Sequence, residues 1–283
     1  MTERTSLDTL CGALAAAMGI AAPEQAAAPN TALTDYVEKT IGRADRLFMY
    51  NPDAVAQWVY EKYPQLLAEA KKRTELELPF CTVMPSVTPV CFGTMYTGAQ
   101  PEVHGIRSYT KPMITIDTIF DSLIRAGRKP VIRIDTLFDA LLRAGKKPAI
   151  VCTAGDSLSK IYLERDMDYF FYPTVEEVNA KAAQLILEDK HDAIVVYNGN
   201  YDAVMHRWGP ESVEALGELR ANSEMFAMFN AMIEENWKQH NTLVGFAMDH
   251  GCHEIDGSLG SHGLDMEEDL HIVHLYKTYP AEK

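Results

Sequence analysis

The chain has 283 residues, 47% of them hydrophobic and 23% charged, ordinary globular proportions that exclude a disordered, collagen-like or low-complexity protein. Forty acidic residues against 26 basic ones leave a net charge of −14. That balance argues against a nucleic-acid polymer or an anionic membrane as partner, since both attract basic surface. A small anionic substrate stays compatible, because a bound cation can invert the local field. The five cysteines are odd in number and lack CxxC spacing, which points to a reducing compartment and a cytoplasmic location.

Residues 1–40 read as a helical extension interrupted by an Ala/Pro-rich stretch at 21–30. The apolar run 10–23 is too short to span a bilayer. Glu3 and Asp8 before it deny it the basic flank of a signal peptide, and Leu7, Leu10, Cys11, Leu14 and Met18 keep helical spacing. Strands are expected at 46–50, 79–84, 149–153, 169–172, 193–197, 242–248 and 271–276. Helices are expected at 53–73, 89–97, 175–188 and from 213 to about 240. Buried apolar runs alternating with helical patterns predict an α/β fold, with a mostly parallel central sheet and helices on both faces. No linker divides residues 41–283, so they are expected to form one catalytic domain.

A tandem repeat interrupts this pattern. Residues 112–129 read PMITIDTIFDSLIRAGRK and residues 130–147 read PVIRIDTLFDALLRAGKK, identical at 12 of 18 positions. Each copy carries a strand-like start, an Asp-Thr cap, an amphipathic helix and a C-terminal glycine. Two copies are too few for a solenoid. A local duplication is the simpler reading, with one copy surplus to the fold and added at the surface.

The chemistry-bearing residues gather in the last third. Asp202 and His206 lie four apart, so a helix presents both to one cation. The strand 242–248 runs into Asp249, His250 and Gly251, and His253 and His262 follow in a glycine-rich loop. Ligands of α/β sheets collect at the carboxyl ends of strands, and mixed Asp/His sets without cysteine suit Zn²⁺ or Mn²⁺ in an open site. One such pair alone would read as ordinary surface histidine; three pieces within 61 residues favour a metal centre. Earlier, Thr88-Pro89 reads as the N-cap and first residue of a helix ending at Gly98, a terminus that favours an anion.

In this order the pieces resemble the alkaline phosphatase superfamily, most closely its nucleotide pyrophosphatase/phosphodiesterase and phosphonoacetate hydrolase branches. Residues 85–106, PSVTPVCFGTMYTGAQPEVHGI, are similar to the nucleophile segment. Asp202-x-x-x-His206-x-x-Gly209-Pro210, Asp249-His250-Gly251 and His262-Gly263 match the later motifs. The resemblance covers roughly residues 45–275. It implies an alkaline phosphatase-like fold and two divalent ions, most often zinc, with manganese as the alternative. One ion would take Asp202, His206 and His262; the other would take Asp249, His250 and Asp53. It further implies Thr88 as nucleophile toward a small phosphorylated substrate, a phosphodiester or phosphomonoester. His253 is the reserve ligand, expected beside the site or exposed.

The departures matter too. Tyr109 stands near the place where many phosphodiesterase relatives have an asparagine that holds a phosphoryl oxygen. Gly155 and Ser157 replace the lysines of phosphonoacetate hydrolases, and the sulfatase C/S-x-P-x-R pattern is missing. Alternatives at the same site are a phosphonate or sulfate ester hydrolase and a non-catalytic, metal-dependent binder of a phosphorylated ligand. A homo-oligomer is left open.

Overall fold

The computed structural model describes residues 4–112, 135–257 and 259–282. A two-residue strand β1 (Thr5–Ser6) leads into helices α1 (Thr9–Ala17) and α2 (Thr31–Ile41). There follow β2 (Arg46–Pro52), α3 (Gln57–Lys62), α4 (Ala68–Lys72), β3 (Leu76–Cys81), α5 (Thr88–Thr97) and α6 (Pro101–His104). The described chain resumes before α7 (Leu137–Arg143), β4 (Pro148–Thr153), α8 (Leu158–Ile161), β5 (Asp168–Tyr172), α9 (Val175–Glu188) and β6 (Ala193–Asn198). Helices α10 (Asn200–Trp208) and α11 (Val213–Asn236) precede β7 (Thr242–Phe246), the hairpin β8 (His253–Ile255) and β9 (Leu259–Ser261), α12 (Glu267–Leu270) and β10 (His271–Tyr279).

Eight strands form one sheet in the order β1-β3-β10-β7-β2-β6-β4-β5. Only β10 runs against its neighbours; the other pairings are parallel. The mostly parallel α/β architecture expected from the alternating pattern is therefore present. Strands β2, β6 and β7 lie at the centre and are buried almost throughout, as strands covered by helices on both faces must be. Each burial removes apolar surface from water at roughly 25 cal/mol per Å². The first forty residues are woven into this body: β1 pairs with β3, α1 packs on α2, α5 and α7, and Leu7, Leu10, Cys11 and Leu14 are fully buried. Among the described residues no helix is long and apolar enough to cross a membrane.

The continuous helix expected over 53–73 is absent. Two short helices, α3 and α4, stand in its place. The break falls at Tyr63, whose backbone leaves the helical region (φ −121°, ψ 50°) because Pro64 follows and disfavours a helical residue before it.

The second repeat copy supplies α7. A reciprocal capping box opens it: the Asp139 amide donates to Thr136 Oγ1 at 3.3 Å, and the Thr136 amide donates to Asp139 Oδ2 at 2.9 Å. Leu137, Phe138 and Leu141 are fully buried, and the helix leads through Gly145 directly into β4. Residues 113–134, nearly all of the first copy and the start of the second, lie outside the described residues, and so does the expected surface placement of the extra helix.

Since α7 and its packing come from the second copy, deleting residues 112–129 should leave the fold intact. The expected outcome is unchanged hydrolysis and a melting temperature no lower than that of the full chain. Deleting 130–147 instead should give the same result, because the remaining copy would then join β4 through an equivalent sequence. Unfolding in both deletions would show the duplication to be an integral part of the sheet.

Candidate metal centre and active site

The candidate residues converge at the carboxyl edge of the central strands. Asp53 follows β2 directly, and its amide prolongs the pairing with β6 by donating to Asn198 O at 3.0 Å. Asp202 and His206 lie on α10, just beyond β6. Asp249 and His250 follow β7, His262 follows β9, and Thr88 opens α5. Strand order thus does what spacing cannot: β6, β2 and β7 are neighbours, so residues nearly 200 positions apart share one edge.

Two triads result. The ligand-type atoms of Asp202, His206 and His262 lie within 4.8 Å of one another, and so do those of Asp53, Asp249 and His250. In the first, Asp202 Oδ1 is 3.2 Å from His206 Nε2 and 3.4 Å from His262 Nε2. In the second, His250 Nε2 is 3.3 Å from Asp53 Oδ1 and 3.4 Å from Asp249 Oδ2. The His250 and His262 rings stack at 4.1 Å between centroids, which joins the triads into one centre. All six residues that the sequence singled out for metal binding are therefore brought together.

His253 is not among them. Its Nδ1 donates to Asp269 Oδ1 at 2.7 Å, and Asp269 Oδ2 accepts the Leu264 amide at 2.8 Å. That buried pair fixes the loop carrying His262. Thr88 is placed differently from the sequence expectation: Val87 is the N-cap and Thr88 the first helical residue, with no side-chain cap. Its hydroxyl turns instead to the centre, 3.3 Å from His250 Nε2 and 3.4 Å from Asp53 Oδ2.

The supporting contacts leave the right atoms free for a cation. Each of the three imidazoles donates its Nδ1–H to a backbone carbonyl at 2.9 Å: His206 to Gly260, His250 to Gly251 and His262 to Ser86. The Nε2 lone pairs therefore face the centre, the arrangement that orients metal-binding histidines. Asp53 Oδ1, Asp202 Oδ1 and Asp249 Oδ2 are buried without a hydrogen-bond partner. Three such acceptors side by side cost several kcal/mol unless a cation meets them. This donor set, hard oxygens with imidazole nitrogens and no thiolate, fits two divalent ions.

Several groups here went unnoticed in the sequence. Tyr197 donates a hydrogen bond to Asp53 Oδ2. Asn51 donates to Ala247 O at 2.7 Å and accepts from the Tyr96 hydroxyl at 2.9 Å. It thus ties the ends of β2 and β7 to the helix that carries Thr88. Only the buried polar character of Asn51 within an apolar strand could have marked it beforehand. The histidine of the HGI segment, His104, is not at the centre. It accepts the Ile106 amide at 3.2 Å and lies 3.1 Å from Thr94 Oγ1; burial pushes it down to about 4. Gly93 makes room for it, since a Cβ there would come 2.7 Å from the ring. The glycine after His250 is equally constrained: a Cβ at Gly251 would meet Glu268 O at 2.0 Å. Tyr109 is exposed on the rim; the Lys111 ammonium sits 5.5 Å from its ring centroid and donates to Gly155 O at 3.0 Å.

Fold and site together define a member of the alkaline phosphatase superfamily. The model of the type I phosphodiesterase / nucleotide pyrophosphatase family matches residues 50–281, and the chain belongs to that family of phosphoric ester hydrolases, which is typically metal-dependent. The structure is similar to murine ectonucleotide pyrophosphatase / phosphodiesterase 5 (ENPP5, NPP5). The TM-score is 0.56 at 18% identity over 75% of this chain and 58% of that one. It is likewise similar to the inactive threonine-to-alanine form of that murine protein in complex with AMP, with a TM-score of 0.56 and 17% identity over 75% and 59% of the chains. This chain therefore spans less than two thirds of that relative's length. No curated protein sequence matches it.

The electrostatics of the metal-free centre yield two tests. Burial, then the charges of Asp249 and Asp202, push the Asp53 carboxyl well above the usual carboxylate range. Burial alone would also raise Asp202, but the neighbouring His206 and His262 imidazoles outweigh it and hold that carboxyl below its ordinary value. A carboxyl raised in the folded state favours folding at low pH and loses that contribution as pH rises through its folded pKa. In the presence of a chelator, Asp53→Asn should therefore melt higher than the parent at about pH 8, by roughly 2–4 °C for each kcal/mol of charge repulsion removed. The gap should close toward about pH 4, where both forms are neutral. Second, His262→Gln should lower the bound-metal stoichiometry by about one ion per chain, whereas His253→Gln should leave it unchanged and lower only the melting temperature. Elemental analysis of the purified variants separates the two histidines.

Proposed function

We infer that the chain hydrolyses phosphate esters, diesters or monoesters, through Thr88 as nucleophile at a centre of two divalent ions, zinc or manganese. One observation carries the reading: a buried threonine hydroxyl stands at the start of a helix, within 3.4 Å of a carboxylate and an imidazole that belong to a metal-type triad. When bound, the two ions would supply Lewis acidity toward the attacking and leaving oxygens and would favour the alkoxide of the nucleophile. Asp202, His206 and His262 would hold one; Asp53, Asp249 and His250 the other.

The rest follows from this chain's own groups. Thr88 Oγ attacks phosphorus in line, forming a new P–O bond as the bond to the leaving alcohol breaks. The positive end of α5 favours the charge that develops on the phosphoryl oxygens. Thr88 loses its hydroxyl proton as it attacks and the departing alkoxide takes up one in exchange through solvent; water then cleaves the phospho-threonine ester, giving one hydrogen to the restored hydroxyl and its oxygen to the released phosphate. The structural relative inactivated by a threonine-to-alanine change supports the same role for Thr88. The excess of acidic over basic residues suits a small phosphorylated substrate rather than a nucleic-acid polymer.

Thr88→Ala is expected to lower kcat by at least about a thousandfold, the scale of losing a catalytic nucleophile, while both ions remain bound. Thr88→Ser should keep measurable turnover, since a hydroxyl survives at the same place. Full multiple turnover in Thr88→Ala, with the parental pH profile, would remove the nucleophile assignment. A panel of aryl phosphate, diester, phosphonate and sulfate substrates separates ester hydrolysis from the phosphonate and sulfate alternatives. Phosphate-ester binding without turnover in the parent would favour the non-catalytic binder.

A further inference from the structure

Tyr197 has no part in the chemistry above, yet its hydroxyl reaches into one of the triads. It is the penultimate residue of β6 and lies opposite Asn51 in the parallel pairing with β2. Its hydroxyl donates to Oδ2 of Asp53, while Oδ1 of the same carboxylate is buried with no partner. The side chain has little freedom to leave. Its ring meets Phe92 edge-on, with centroids 5.5 Å apart and planes at 84°. Behind the hydroxyl lies Gly199, where even a Cβ would come within 3.0 Å. The residue is only 4% exposed.

We propose that Tyr197 is a positioning residue for the ion held by Asp53, Asp249 and His250: its hydroxyl occupies Oδ2, so that Asp53 presents Oδ1 alone to the metal. This deepens the two-metal reading above and rests on it. A free carboxylate has two equivalent oxygens and can turn both toward a cation, or offer either as a proton acceptor. Asp53 sits just past a strand end, where the ladder fixes its backbone but not the torsion of its carboxylate. A hydrogen bond from a neutral hydroxyl to a charged oxygen is strong enough to settle that torsion. The Thr88 hydroxyl also donates to this oxygen, at a longer 3.4 Å, so hydroxyl donors occupy Oδ2 and Oδ1 is the oxygen left over. Asp249 is held in the same manner by another donor: the Ala54 amide reaches its Oδ1 at 3.2 Å, and Oδ2 is the oxygen left over. Both carboxylates of the triad thus have one oxygen engaged and one open.

The test compares metal-free parent and Tyr197→Phe protein titrated with Zn²⁺ in a calorimeter against a competing chelator. The parent should show two sites, which tests the two-metal reading independently of Tyr197. Losing an outer partner of a metal ligand typically weakens binding ten- to a hundredfold. Tyr197→Phe should therefore weaken one site by about that factor and leave the other unchanged, the intact site serving as the control for folding. With Co²⁺ in place of zinc, the variant's visible absorption should fall at one site, because the freed Oδ2 can join the ion and raise its coordination number. Parental affinity at both sites, equal weakening of both, or an unchanged cobalt spectrum would each overturn the proposal. A parent that binds fewer than two ions would overturn the reading beneath it, and this proposal with it.

Discussion

Three carboxylates, Asp53 and Asp249 buried and Asp202 half-buried, crowd the carboxyl edge of β6, β2 and β7, each with one buried oxygen that meets no hydrogen-bond donor. Such acceptors are costly to bury, and much of the local design makes sense as a means of holding that cost in place. Buried acceptors are ordinarily satisfied by backbone or side-chain donors. Here the donors are withheld. The nearest imidazoles spend their N–H groups on the carbonyls of Gly260, Gly251 and Ser86 and turn lone pairs inward. A centre lined by lone pairs from six side chains repels itself until a cation enters. Part of the free energy of metal binding would then come from relieving repulsion that folding builds in.

Such a centre survives because the scaffold beneath it is rigid. Parallel strands with helices on both faces cannot slip register without turning buried side chains outward. Strand order also places the two triads on adjacent strand ends. Asn51 adds a polar lock at the level where the strands end, joining β2, the chain after β7 and α5. It is fully buried, with both its amide nitrogen and its oxygen engaged, and it ties three ligand-bearing segments together. The hairpin β8–β9 and the His253–Asp269 pair do the same for the loop that brings in His262.

The sheet was legible in the sequence because its strands are short apolar runs separated by helical patterns, and burial on both faces leaves no other reading. The six convergent residues were legible through a resemblance that orders their motifs; spacing alone paired only Asp202 with His206 and Asp249 with His250. What escaped was set by three dimensions. Nothing in a linear pattern says that Tyr197 on β6 reaches the residue after β2, since that contact depends on which strands are neighbours. The 53–73 stretch misled because its apolar periodicity is helical on both sides of Tyr63, and the single local signal against continuity is Pro64. Thr88 misled in a finer way. A threonine before a proline at a helix start usually caps, but here a stronger electrostatic demand turns the hydroxyl inward and leaves the cap position to Val87.

The repeat shows where such reading ends. Two segments identical at two thirds of their positions carry the same apolar pattern, so sequence cannot choose which one docks. The structure places Leu137, Phe138 and Leu141 of the second copy in the core. The covalent path gives a reason. From the end of α7 at Arg143 to the start of β4 at Pro148 the connection is only a few residues long, and Gly145 (φ +72°) makes the turn. A helix tethered that closely to the strand it packs beside loses little chain entropy on docking. A copy one repeat further away must close a loop longer by 18 residues for the same contacts, and loop-closure cost rises with length. With the contacts equal, the tether decides.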